Sequence, residues 1–481
     1  MSNHYASITC AIIFASFSVN VSAEEAEIRS SLNDQKNVAV TIYNNNLALV
    51  KDQRKVKLGI GLNTLALRDI SALIRPETAL LRSISHTASL STLEQNFDFD
   101  LLTPQKLLEK YVGKNVTVVK TNPANGSETS EQALVLSANN GVVMKIGNRI
   151  ETGMPGRIVY DDVPENLRER PTLVTKLNSK TAAEHTLELS YLTTGLGWKA
   201  DYVAELNAKE DSIDLSGWVT LTNTSGATYS NAKLQLVAGD VNRVQDNYPR
   251  PMVMRKSVGI AADSASEMTE QSLLEYHLYT LERPTTIAEN QTKQFALLSA
   301  SSVPARKELL LRGADYYYSA SYGDLGQKMQ VGVFMEFDNK EAAKLGIPLP
   351  KGIMRVYKKD NQGNAQFVGE DRIEHTAKNE TIRLKLGDAF DVTADKKQID
   401  FKTLPRQSKG NSMFESGYEL TLKNAKKERV LVTIQEPIPG EWKILKESHP
   451  SHKATSNTAV WKIEIPAEGK TTLTYRVQVK H

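Results

Sequence analysis

The chain has 481 residues and a formal net charge of +3 with acids and bases interspersed, which argues against nucleic acid as a partner. Its 40% hydrophobic and 24% charged residues are those of a globular protein able to form cores, and the length predicts two to four domains. Met1 to Ala23 reads as a signal peptide: an apolar segment from Ala6 to Val19, then Val21-Ser22-Ala23 as a small-residue cleavage site. Cys10, the only cysteine, lies inside that segment. Cleavage after Ala23 leaves a mature chain without disulfides, thiolate chemistry or cysteine-bound metal. Ile8-Thr9 before Cys10 departs from a lipidation signal, and no later run is long enough to span a membrane. The protein is therefore expected in the periplasm or secreted.

Residues 24–100 are predicted to form an N-terminal β domain. Strands are read over Val38–Tyr43, Leu47–Val56 and Thr64–Leu67, with Asn44-Asn45-Asn46 and Gly59-Ile60-Gly61 as turns. Gly59-x-Gly61 lacks the third glycine and following helix of a dinucleotide loop, so no cofactor is called for. Residues 101–165 are predicted to hold a short helix near 103–111 and a small β module. Thr103 caps the helix, Pro104 suits its first position, and Leu107, Leu108 and Tyr111 share one face. Asn125-Gly126 and Asn139-Asn140-Gly141 between apolar runs signal hairpins, because their central positions tolerate positive φ.

The stretch from Leu187 to Val244 organises the chain. Leu187, Leu189 and Tyr191 alternate with Glu188 and Ser190, the period of a half-buried strand. Gly195 and Gly197 supply a turn, Trp198 opens a second strand, and two more run over Leu215–Thr222 and Lys233–Val237. Together they predict an antiparallel sheet, half of a sandwich. The segments LSYLTTGLGWKADYVAEL and GWVTLTNTSGATYSNAKLQLVAG resemble the signature of domain-of-unknown-function family 4139, found in bacterial envelope proteins. The resemblance extends from about Tyr191 to the C-terminus and implies an envelope location, but no settled activity.

Residues 166–400 are read as a central β-sandwich region, interrupted by a mobile loop over 245–272 that is rich in proline and small polar residues. Met329, Val331, Val333, Met335 and Phe337 alternate in a clear strand. Residues 401–481 form a C-terminal sandwich candidate of immunoglobulin-like layout: Tyr418, Leu420, Leu422; Val430, Val432, Ile434; Trp461, Ile463, Ile465; and Leu473, Tyr475, Val477, Val479 all alternate. The whole is expected to be mostly β, built of several antiparallel sandwich or barrel-like domains.

Few patterns carry chemistry. Glu370, Asp371, Glu374 and His375 in GEDRIEHT form the densest titratable group, yet Glu370, Arg372 and Glu374 share strand parity, as on a solvated charged face. A glycan hydrolase would need two facing carboxylates, for which Asp201, Glu370 and Glu374 are the candidates. His449 and His452 lack a third metal ligand nearby, so no metal and no catalytic residue is assigned. Tyr316, Tyr317, Tyr318 and Tyr322 are the candidate binding residues, because tyrosine favours recognition surfaces; the competing reading is a strand whose tyrosines alternate between core and rim. Trp198, Trp218, Trp442 and Trp461 are expected in cores. The favoured reading is an exported, non-catalytic binding or scaffolding protein whose partner is a protein or glycan of the cell envelope. The alternative is an envelope hydrolase using paired carboxylates.

Overall fold

The computed structural model describes residues 27–44, 46–164, 167–239, 241–242, 268–405 and 412–480. The expected leader Met1–Ala23, with Cys10, lies outside these residues, as do residues 245–267 of the expected loop. Residues 268–272 do not continue that loop. They belong to strand Met268–Leu273, paired with Tyr276–Leu281 through a turn in which Leu274 takes a φ of 57°. MTEQSL has no period-two pattern because only Met268 of the six is buried.

Among the described residues there are thirty strands and one α-helix, and no sheet closes into a barrel. The sheets are mixed rather than purely antiparallel. Leu196–Leu206 runs parallel to Gly352–Lys359, and Gln291–Arg312 parallel to Val430–Pro437. Parallel neighbours come from distant segments joined by crossovers, which leave no local mark in a sequence.

The chain forms two compact units. One takes in the described residues up to Lys36 with Gln53–Ile70 and Leu80–Leu189. It contains a four-stranded sheet ordered Ile28–Ser30, Gly61–Arg68, Thr172–Ser179, Leu90–Asp98. Its second core lies under helix Pro104–Lys110, where Leu108 and Tyr111 pack on Val116, Val118, Val135 and Met144 of a five-stranded sheet. Thr103 Oγ1 accepts from the Lys106 N–H at 3.1 Å, so the cap read from the sequence is formed. Glu188, read as a solvent-facing position, is buried; the Gln53 amide donates to it at 2.8 Å and the Arg82 guanidinium at 3.0 Å.

The other unit comprises Asn37–Asp52, Ser71–Ala79 and the described residues from Ser190 onward. Its backbone is one long sheet ordered Ala365–Ile373, Gly352–Lys359, Leu196–Leu206, Ser212–Asn223, Gln291–Arg312, Asp324–Asp338, Thr381–Leu404, Met413–Asn424, Gly469–Lys480, Glu441–Glu447. Gly195 turns the chain into Leu196–Leu206 with a φ of 83°, and a Cβ there would lie 2.7 Å from Ser225 Cα, so the turn accepts only glycine. Strand Val430–Pro437 pairs with Gln291–Arg312 on one side and Thr458–Ile465 on the other, giving a second layer over the C-terminal strands. Trp461, Tyr418, Tyr475, Leu420, Val432 and Ile463 fill the space between.

Trp198 and Trp461 are buried, and Trp442 packs half-buried against the core that holds Trp461. Trp218 is not: it is 41% exposed, because Leu215, Val219 and Leu221 hold the buried parity of its strand and Trp218 has the other. Among the described residues no helix is long and apolar enough to cross a membrane.

Candidate functional site

The segment ADYYYSASY builds an aromatic station on the C-terminal sandwich. Asp315–Tyr318 forms a single 3₁₀ turn rather than a strand, so successive tyrosines point in unlike directions. Tyr317 and Tyr318 enter the core, whereas Tyr316 is 52% exposed. Tyr322 is half-buried and meets the Tyr316 ring edge-on, with centroids 5.7 Å apart. Tyr316 also packs edge-on against Tyr317 at 4.8 Å. Of the four candidate binding residues, Tyr316 and Tyr322 therefore form the accessible pair, and Tyr317 and Tyr318 are their foundation.

The turn is clamped from below. Buried Gln398 donates from Nε2 to the Ala320 carbonyl at 3.1 Å, and its Oε1 accepts from the Tyr322 N–H. The Tyr418 hydroxyl donates to the Tyr317 carbonyl at 2.6 Å. Buried backbone groups are thus satisfied by side chains of the sheet beneath, which fixes the loop's shape.

Beneath the turn lies a buried charge pair that the sequence reading missed. Lys396 Nζ sits 2.6 Å from Glu436 Oε1, and both side chains are almost wholly shielded from solvent. Four tyrosine rings surround the Lys396 nitrogen, with centroids at 4.3 Å for Tyr317, 5.2 Å for Tyr418, 5.8 Å for Tyr475 and 5.9 Å for Tyr318. The Tyr318 hydroxyl donates to Glu436 Oε2 at 2.8 Å and lies 2.9 Å from the Tyr475 hydroxyl. Burial lowers the Lys396 pKa, although Glu436 opposes that shift. Burial likewise pushes the Tyr317 and Tyr418 phenols up to about 12, and raises those of Tyr318 and Tyr475 well above the ordinary phenol value. A sequence signal for the pair exists. Val392, Ala394, Lys396 and Gln398 share one strand parity, as do Val432, Ile434 and Glu436, so each ion occupies a core-facing position.

The titratable group in GEDRIEHT is drawn into the architecture. Arg355 Nε lies 3.2 Å from Glu370 Oε2, and its Nη1 3.1 Å from Asp201 Oδ1. Two of the three carboxylates proposed for hydrolysis, Asp201 and Glu370, thus share one guanidinium instead of facing each other across a cleft. Burial pushes the Asp201 carboxyl up, but hydrogen bonds from Thr220 and Arg355 and the charges of Lys199 and Arg355 outweigh it and hold it low. Asp371 accepts the Lys385 N–H at 2.7 Å, tying adjacent strands, and Glu374 is exposed.

His375 lines a cavity of about 130 Å³ with His277, Tyr279, Pro348, Pro350 and Gly239. Two tyrosines suspend its proline loop: Tyr279 donates to the Pro348 carbonyl at 3.1 Å and Tyr202 to the Pro350 carbonyl at 2.8 Å. His277 Nδ1 pairs with Glu270 at 2.8 Å. His375 Nδ1 accepts the Lys351 N–H at 3.2 Å, and its Nε2 lies 3.4 Å from Asn44 Nδ2. The cavity is well below the roughly 300–1,000 Å³ of small-molecule sites. His449 bonds Ser448 at 3.0 Å and His452 begins an exposed strand. Among the described residues no group of three His, Cys, Asp or Glu side chains is placed to hold a metal ion.

Among proteins of curated function, none matches the chain. A family of unknown function matches residues 187–481, the whole of the long sheet and the tyrosine station: the chain belongs to domain-of-unknown-function family 4139.

Proposed function

We propose that the protein is exported and works in the cell envelope as a non-catalytic binding or scaffolding protein, with Tyr316 and Tyr322 as its contact residues. The observation that carries this reading is the edge-to-face pair of exposed Tyr316 and half-buried Tyr322 on a turn clamped by Gln398 and Tyr418. Aromatic side chains held rigid before binding offer large amphipathic area with little conformational entropy left to lose. Such a platform suits the face of a sugar ring or the apolar edge of a partner protein. Export is supported by the apolar run Ala6–Val19 followed by Val21-Ser22-Ala23.

Two measurements test the proposal. N-terminal sequencing of protein from fractionated cells is expected to start at Glu24 in the non-cytoplasmic fraction; Met1 retained on cytoplasmic protein refutes export. The double variant Tyr316→Ala, Tyr322→Ala is expected to unfold like wild type while binding to an envelope glycan panel and to envelope proteins falls by about tenfold or more. Unchanged binding removes these two residues from the contact surface.

A further inference from the structure

The Lys396–Glu436 pair is short of the hydrogen bonds that normally compensate burial: Tyr318 donates to Glu436 Oε2, but Lys396 Nζ and Glu436 Oε1 have only each other. Nζ and Oε1 are 2.6 Å apart, and neither atom has another hydrogen-bond partner among the described residues. An ammonium has three protons to donate, and leaving them unmet in a dry core is costly. Sequence and packing nonetheless force the two groups together. Gly313 lies so close that a Cβ on it would sit 2.1 Å from Glu436 Oε2 and 2.6 Å from Cδ, so the carboxylate is pressed against its backbone on that side. The tyrosine rings close around Nζ on the other.

We propose that Lys396 and Glu436 condense to an amide, a covalent link between strands Thr381–Leu404 and Val430–Pro437 in the core of the sandwich. The balance is simple. A proton passes from the ammonium to the carboxylate, and the neutral amine attacks Cδ through its lone pair. The tetrahedral adduct then loses one carboxyl oxygen, which leaves with two hydrogens as water; no oxidant, metal or cofactor is consumed. Tyr318, donating to Oε2, is placed to stabilise the negative charge on that oxygen, which stays as the amide carbonyl, while Oε1, protonated first by the ammonium, takes its second proton from the adduct nitrogen and leaves as water.

Three physical effects favour the forward direction. The reactants are held within contact distance by the fold, and well-oriented intramolecular pairs react as if at concentrations of about 10⁵ M or more. Burial favours the neutral amine, the nucleophilic form. Condensation also replaces two buried charges by one neutral amide in a site that excludes water, so both the desolvation penalty and the reverse hydrolysis are diminished.

The test is peptide mapping of the full-length chain. Trypsin digestion of denatured wild-type protein is expected to leave Lys396 uncut, giving a branched peptide that joins residues 386–397 to residues 430–443, lighter than their sum by one water. Fragment ions should place the branch between Lys396 and Glu436. Lys396→Arg should yield the two linear peptides. Wild-type protein that gives linear 386–396 and 430–443 in full yield overturns the proposal, whatever the variants do. Because the readout is the wild-type covalent structure, it is independent of whether Tyr316 and Tyr322 bind anything.

Discussion

Gly313→Ala probes the buried pair without touching either charge. The new Cβ would fall 2.1 Å from Oε2, 2.6 Å from Cδ and 2.8 Å from Oε1 of Glu436, all inside van der Waals contact. Glu436 cannot retreat freely, since Tyr318 holds Oε2 and Lys396 lies against Oε1. If the strands move instead, overpacking costs about 1–3 kcal/mol. If the carboxylate is pushed from its partner, the stranded charge costs about 3–5 kcal/mol. The structure therefore predicts a loss of about 3 kcal/mol. It should be measured by urea titration with amide exchange read on Val430–Pro437, which reports the sandwich alone. The control is the background Lys396→Met, Glu436→Ala, where both charges and the obstructing carboxyl are gone. There Gly313→Ala should cost less than about 1 kcal/mol, a coupling of about 2 kcal/mol between sites in contact. Equal losses in both backgrounds would refute the reasoning, because the clash would then not involve Glu436. The sign is the same whether Glu436 is a carboxylate or an amide carbonyl.

Trp198→Ala should destabilise its unit by about 3–5 kcal/mol, the usual cost of emptying a large aromatic site. Trp198→Phe should cost under about 1 kcal/mol, because the indole N–H is buried without a hydrogen-bond partner among the described residues and its loss relieves an unmet donor; equal costs for the two variants would show that the N–H is satisfied. Raising the pH should leave the sandwich unaffected up to about 10, the ordinary tyrosine value, and then unfold it. The sign follows from Tyr317 and Tyr418, whose folded pKa is about 12 against 10: unfolded chains lose these protons first, so the stability held below pH 10 is lost as pH rises toward 12. Phenolate absorbance should therefore rise in step with unfolding, and core tyrosines that ionise in folded protein would contradict it.

Much of the fold was legible because one face of each strand is buried and the other wet. Tyr418, Leu420 and Leu422, or Trp461, Ile463 and Ile465, alternate with polar residues and are buried as that pattern requires. The helix at Pro104–Lys110 was equally legible, since Thr103 and Pro104 mark its start by local chemistry. Parallel pairing was not, because Leu196–Leu206 and Gly352–Lys359 meet across a long stretch of intervening chain. Trp218 was misread for a different reason. Size and hydrophobicity suggested core, while its parity relative to Val219 and Leu221 already placed it outside. The tyrosine run was misjudged in geometry: a strand would alternate Tyr316 to Tyr318 between two faces, whereas the 3₁₀ turn exposes the first and buries the next two.

That turn is what connects the buried chemistry to the accessible surface. Gln398 follows Lys396 by two residues on the same face of one strand, so the side chain that clamps the turn and the one inside the cage are set by a single register. Tyr317 contributes its ring to the cage and its carbonyl to Tyr418, while its neighbour Tyr316 stands outside. A slip of one residue in Thr381–Leu404 would put Lys396 in solvent and unclamp Tyr322 together. Charges facing inward oppose folding in most registers, and here only one register supplies Glu436, four rings and the Gln398 contacts at once. The pair therefore selects the register that holds Tyr316 and Tyr322 in place, which gives a physical reason for a core to keep a lysine and a glutamate where leucines would be easier to bury.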